Sequence, residues 1–113
     1  MNDVFDIGTY GKTDAAKTLA RILNKRDNPK LNRKVGHIWD ECVAILMSIE
    51  QVSNPRNKIS LANLLRDHMM KTIRSRRFPK EVRSYLTNIV VGRFRDFFER
   101  NPSCQRQRRF TTF

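Results

Sequence analysis

The prolines of this chain stand between its runs of helical apolar spacing, and that placement confines it to a few helices laid side by side. Apolar residues recur every three or four positions in four stretches, and Pro29, Pro55, Pro79 and Pro102 mark the breaks. Proline has no amide hydrogen and clashes with the preceding turn, so each one ends a helix or sits in the first turn of the next. No stretch alternates apolar and polar residues as a strand does, no motif repeats, and no heptad run is long enough for a coiled coil. The expected fold is therefore all-α, a compact bundle of about four helices. It should form a single helical domain over residues 1–102, with 1–11 as an N-terminal arm and 103–113 as a flexible basic tail.

The first helix is expected from about Thr13 to Lys25, with Ala16, Leu19, Ala20, Ile22 and Leu23 on one face and Asp14 in the first turn. Pro29 disfavours helical geometry at Asn28, which predicts a loop near 26–31. The second helix, about Asn32 to Gln51, carries Val35, Ile38, Trp39, Cys42, Val43, Leu46 and Ile49 on one side and should form the centre of the core. Residues 53–57 break it, and Ser60 is the predicted N-cap of a third helix bearing Leu61, Leu64, Leu65, Met69 and Ile73. On that helix Arg66, Met70, Arg74 and Arg77 should point away from the apolar stripe, with Lys71 on its flank. The fourth helix, about 79–100, is lined by Val82, Tyr85, Leu86, Ile89, Val90, Phe94 and Phe97.

Charge is the second constraint. Lys and Arg number 23 against 11 Asp and Glu, a net +12, while 39% of residues are hydrophobic and 30% charged. That balance describes a folded domain with a strongly cationic surface. Up to Ser60 there are 10 cations and 7 acids, and after it 13 and 4, so a partner is expected on the second half. The densest run is Lys71-Thr-Ile-Arg74-Ser-Arg76-Arg77-Phe78-Pro79-Lys80-Glu81-Val-Arg83, at the junction of the third and fourth helices. Such a cluster is the electrostatic footprint of nucleic-acid binding.

Catalytic signals fail one by one. Gly8-Thr9-Tyr10-Gly11-Lys12-Thr13 contains the Gly-Lys-Thr of a phosphate-binding loop, but Asp6 occupies the place of its first glycine and no strand precedes it. His37 has Asp40 and Glu41 three and four residues on, which is a solvated helix face before it is a metal site, and His68 has no motif partner. Cys42 lies on the apolar stripe as a small hydrophobe, and with Cys104 makes neither a disulfide framework nor a zinc site. No metal, cofactor or enzymatic activity is expected. The acidic first residues resemble no secretory or transit signal, and no run approaches the roughly 20 apolar residues of a membrane span. A cytoplasmic location, or a nuclear one for a eukaryotic or viral chain, follows.

The leading expectation is a small non-enzymatic nucleic-acid-binding protein, favouring RNA or single-stranded DNA, in which Lys71, Arg74, Arg76, Arg77, Lys80 and Arg83 contact phosphates. Arg106, Arg108 and Arg109 of the tail would assist. Arg76 falls near the apolar stripe and could serve the fold instead. Phe78, Phe98, Phe110 and Phe113 sit beside cations and off a clear core face, so Phe78 and Phe110 are candidates for stacking on bases. Phe78 could equally be a hydrophobic staple for the fourth helix. Arg93 projects into the apolar side of the fourth helix beside Gly92, which calls for an ion pair with Asp40, Glu41 or Glu50, for a side chain that snorkels to an edge, or for a helix-packed homodimer with Gly92 and Arg93 at its seam. The competing class is a helical adaptor or inhibitor docking on an acidic protein surface. Size, basicity and absence of catalytic motifs suit a regulatory accessory protein of the viral, phage or plasmid kind.

Overall fold

The computed structural model describes residues 13–101, which form four helices and no strand: α1 (Asp14–Arg26), α2 (Pro29–Glu50), α3 (Pro55–Ser75) and α4 (Lys80–Arg100). Arg106, Arg108, Arg109, Phe110, Phe113, the arm and the tail lie outside the described residues. The all-α bundle expected from apolar spacing is the fold observed.

Side-chain caps set three of the four helix starts. Thr13 Oγ1 accepts a hydrogen bond from the Ala16 amide at 3.1 Å, and Asn28 Oδ1 accepts from Leu31 at 3.1 Å. Asn54 Oδ1 accepts from Arg56 at 2.9 Å and Asn57 at 3.2 Å. Each satisfies donors that the first turn leaves unpaired. Two predicted boundaries are corrected by these caps. The loop at 26–31 shrinks to Asp27 and Asn28, because Pro29 begins α2 instead of breaking it. Likewise Ser60 caps nothing: Asn54 and Pro55 start α3 six residues earlier, leaving Ser60 exposed inside the helix. In both places Asn-Pro is a helix start, since proline at the first helical position loses no hydrogen bond.

Cross-bundle contacts fix the topology. Arg26 meets Glu81, Glu41 meets His68, and Lys58 approaches Asn101, so α1, α2 and α3 each run antiparallel to the next element they touch. Arg100 reaches Glu50 at 3.4 Å, which sets α2 and α4 parallel. The bundle is thus up-down-up-down and elongated, 44 × 25 × 22 Å. α4 packs on all three other helices, whereas α1 rests mainly on α4.

That central position explains the breadth of the buried surface on α4. It buries Val82, Leu86, Ile89, Val90, Phe94, Phe97 and Phe98, including adjacent residues that one stripe could not hold. Phe98 is 1% exposed and meets Phe97 edge-on at 5.6 Å, so its assignment to the surface is corrected. Phe78 is also buried, at 5% exposure, and packs in the main core cluster. It is a core residue closing the α3–α4 turn, not a stacking platform. On α3, Ile59, Ala62, Met69 and Ile73 are buried, while Leu64 is 64% exposed. Met70, expected on the outer face, is half-buried against the core.

Arg93 receives no carboxylate in the manner expected. Glu41 pairs with His68 at 3.0 Å and Glu50 with Arg100 at 3.4 Å. The Arg93 guanidinium lies instead over the Trp39 ring, 5.4 Å from its centroid. Gly92 is not a point of close helix approach within the chain: a Cβ there would meet only the Arg95 guanidinium at 3.7 Å.

Candidate functional site

The up-down-up-down topology brings the α1–α2 turn and the α3–α4 turn to the same end of the bundle. Residues 21–34 and 71–83 together hold 12 Lys and Arg against Asp27 and Glu81. The remaining described residues hold 7 against 7. All the net charge of the described helices therefore resides at one end. The starts of α2 and α4 and the ends of α1 and α3 all fall there, so their helix dipoles offset one another and the field is set by the side chains.

Of the residues expected to bind phosphate, Lys71 and Arg74 are exposed on the last turns of α3. Arg76 caps α3, its amide donating to the Thr72 carbonyl at 3.1 Å, and its side chain is exposed, not turned to the core. Arg77 lies beyond the helix, with φ 55 in the left-handed region. This is the position after a helix cap where glycine is usual, and an arginine there carries a backbone cost of about 1–2 kcal/mol. The turn it forms puts Phe78 into the core and Arg77 outside. Lys80 is exposed in the first turn of α4, and Arg83 is half-buried.

The first half of the chain supplies partners that linear charge density missed. A cleft of about 210 Å³ opens between the two turns, walled by Arg26, Lys30, Lys34 and Arg77, with Asn28, Leu31, Phe78 and Pro79 completing it. No carboxylate lines it. Beside it, Arg21, Ile22, Lys25, Arg26 and Glu81 surround a hollow of about 390 Å³ between α1 and α4. Glu81 sits 3.9 Å from Arg26 with both side chains about half exposed, too weak a pair to neutralise the cleft. The signal for these residues was present as Arg26, Lys30, Arg33 and Lys34 around Asn28-Pro29. It becomes visible only once that turn is seen as a bundle end.

The other titratable residues among those described show no comparable assembly. Among the described residues no three of His, Cys, Asp and Glu are grouped as a metal site. His37 is exposed, and Glu41 is engaged by His68. Cys42 is a buried free thiol, pushed up to about 11 by burial, with Arg93 opposing the rise and Glu41 adding to it. A second hollow of about 350 Å³, lined by Val43, Leu46, Met47, Glu50, Gln51, Arg93 and Arg100, lies between α2 and α4 towards the opposite end. No described helix is long and apolar enough to cross a membrane. The chain matches no protein-family model, no curated protein and no solved structure.

Proposed function

We propose that the protein is a non-enzymatic nucleic-acid-binding module that holds phosphates at the basic end of its bundle. The observation that carries this is the segregation of charge: 12 cations and two acids at one end, with 7 cations and 7 acids over the other described residues. A polyanion meeting such an end releases condensed counterions at several points at once, which gives binding without sequence-specific chemistry. Lys71, Arg74, Arg76, Arg77, Lys80 and Arg83 act from the α3–α4 side, and Arg26, Lys30 and Lys34 from the α1–α2 side.

Single-stranded RNA or DNA suits this end better than duplex. A helix-turn-helix crosses its two helices at a steep angle and frees one for the major groove. Here α3 and α4 run back along each other, with Lys58 at the start of α3 near Asn101 at the end of α4. Neither helix is free to enter a groove, whereas a flexible strand can bend over a corner.

Titration with single-stranded RNA, single-stranded DNA and duplex DNA at two salt concentrations tests the proposal. Four to six phosphate contacts give a log–log salt slope of about −3 to −4 for single strands. Arg74→Glu/Arg77→Glu should weaken binding at least tenfold. A flat salt response, or a protein partner retained after nuclease treatment, would replace this function with docking on an acidic protein surface.

A further inference from the structure

The basic end is not uniform: its cleft differs in shape and charge from the exposed cations around it. Arg26 comes from the end of α1, Lys30 and Lys34 from the first turns of α2, and Arg77 from the α3–α4 turn. They surround one recess backed by the buried Leu31 and Phe78. Its volume of about 210 Å³ is below the roughly 300–1,000 Å³ of pockets that enclose whole small molecules. A phosphate group fits inside it with room to spare, and the rest of a nucleotide would extend out of the cleft mouth.

Four cations around one recess exceed the needs of an internal phosphodiester, which carries one charge and must let the strand leave on both sides. A terminal phosphomonoester carries about −1.5 to −2 at pH 7 and presents three acceptor oxygens. It also ends the chain, so it can enter a recess from one side. Arginine and lysine donors make their strongest hydrogen bonds to such a group. The left-handed turn of Arg77 that ends α3 sets its side chain at the cleft wall.

We infer that the cleft between the α1–α2 and α3–α4 turns binds the terminal phosphate of a single-stranded nucleic acid, with Arg26, Lys30, Lys34 and Arg77 as its ligands. This rests on the nucleic-acid function proposed above and adds end recognition to it. The exposed cations of α3 and α4 then hold the strand that follows.

The test is fluorescence anisotropy with short single-stranded RNAs of one sequence, carrying a phosphate or a hydroxyl at the 5′ end, and a second pair differing at the 3′ end. One phosphorylated end should bind about tenfold tighter than its hydroxyl counterpart. Lys30→Gln/Lys34→Gln should abolish that preference and weaken hydroxyl-ended RNA by a smaller factor, whereas Arg74→Gln should weaken both forms alike and leave the preference intact. Lys30 and Lys34 are exposed, so circular dichroism of the variant should match the wild type. Equal, salt-dependent binding of phosphate and hydroxyl ends overturns the cleft assignment while the nucleic-acid function stands. A preference that survives Lys30→Gln/Lys34→Gln overturns its location. Failure of every RNA, and of single-stranded DNA of the same sequence, to bind overturns both.

Discussion

Arg93 stacks over Trp39 with its guanidinium 5.4 Å from the ring centroid, joining α4 to α2 through a cation–π contact. The Nε of the same arginine is buried and makes no hydrogen bond. The side chain thus satisfies its charge by the ring face and the half-exposed side of the bundle, not by a carboxylate. Such a contact contributes about 0.5–2 kcal/mol. Arg93→Ala should lower stability by about 1–2 kcal/mol, because the aliphatic stem also packs. Trp39 is the single tryptophan, so its emission should shift in Arg93→Ala and much less in Arg95→Ala.

Phe78 belongs to the core, and its removal should be read in stability. Phe78→Ala should cost about 3–5 kcal/mol in urea unfolding, while Phe78→Leu should cost markedly less. If the ring acted on bases from the surface, Phe78→Ala would leave the unfolding midpoint unchanged.

Arg77 separates stability from binding. Its φ of 55 favours glycine, so Arg77→Gly should raise the unfolding free energy by up to about 1 kcal/mol. The same variant removes a cation from the cleft and should weaken nucleic-acid binding. A loss of both stability and binding would show that the side chain packs more than it contacts anions.

Gly36 and Gly92 lie within helices and would accept a methyl group: nothing lies within 4 Å of a Cβ at Gly36, and only the Arg95 side chain approaches at Gly92. Gly36→Ala and Gly92→Ala should each stabilise by about 0.5–1 kcal/mol. The second variant also tests a homodimer built on α4. Close helix packing at Gly92 would turn the gain into a loss, and light scattering would report a change of mass.

Cys42 couples stability to alkaline pH. Burial raises its thiol from 9.0 to about 11, so the folded state holds a proton that the unfolded chain releases. Its contribution is fully present below pH 9.0 and is lost as pH rises towards 11, a difference of about 2–3 kcal/mol. The wild type should therefore lose more stability than Cys42→Ala across that window. Near neutral pH the folded thiol should react only slowly with an aqueous thiol reagent.

The sequence by itself determined the class of the fold, the number of helices, the ends of α1 and α4, and most of the core. These are local properties: a helix repeats every 3.6 residues, and proline acts on its own turn. Boundaries at Asn28-Pro29 and Asn54-Pro55 were ambiguous because the same two residues can stop one helix or start the next. Only tertiary structure decided the rest. Phe98 is core because α4 touches three neighbours, Arg93 finds Trp39 because α2 and α4 run parallel, and Phe78 turns inward where Arg77 turns left-handed. Above all, Arg26, Lys30 and Lys34 join Arg77 across more than forty residues of sequence because two turns share one end of a bundle. Charge along a chain shows how much field a protein can make, but helix pairing determines where that field converges.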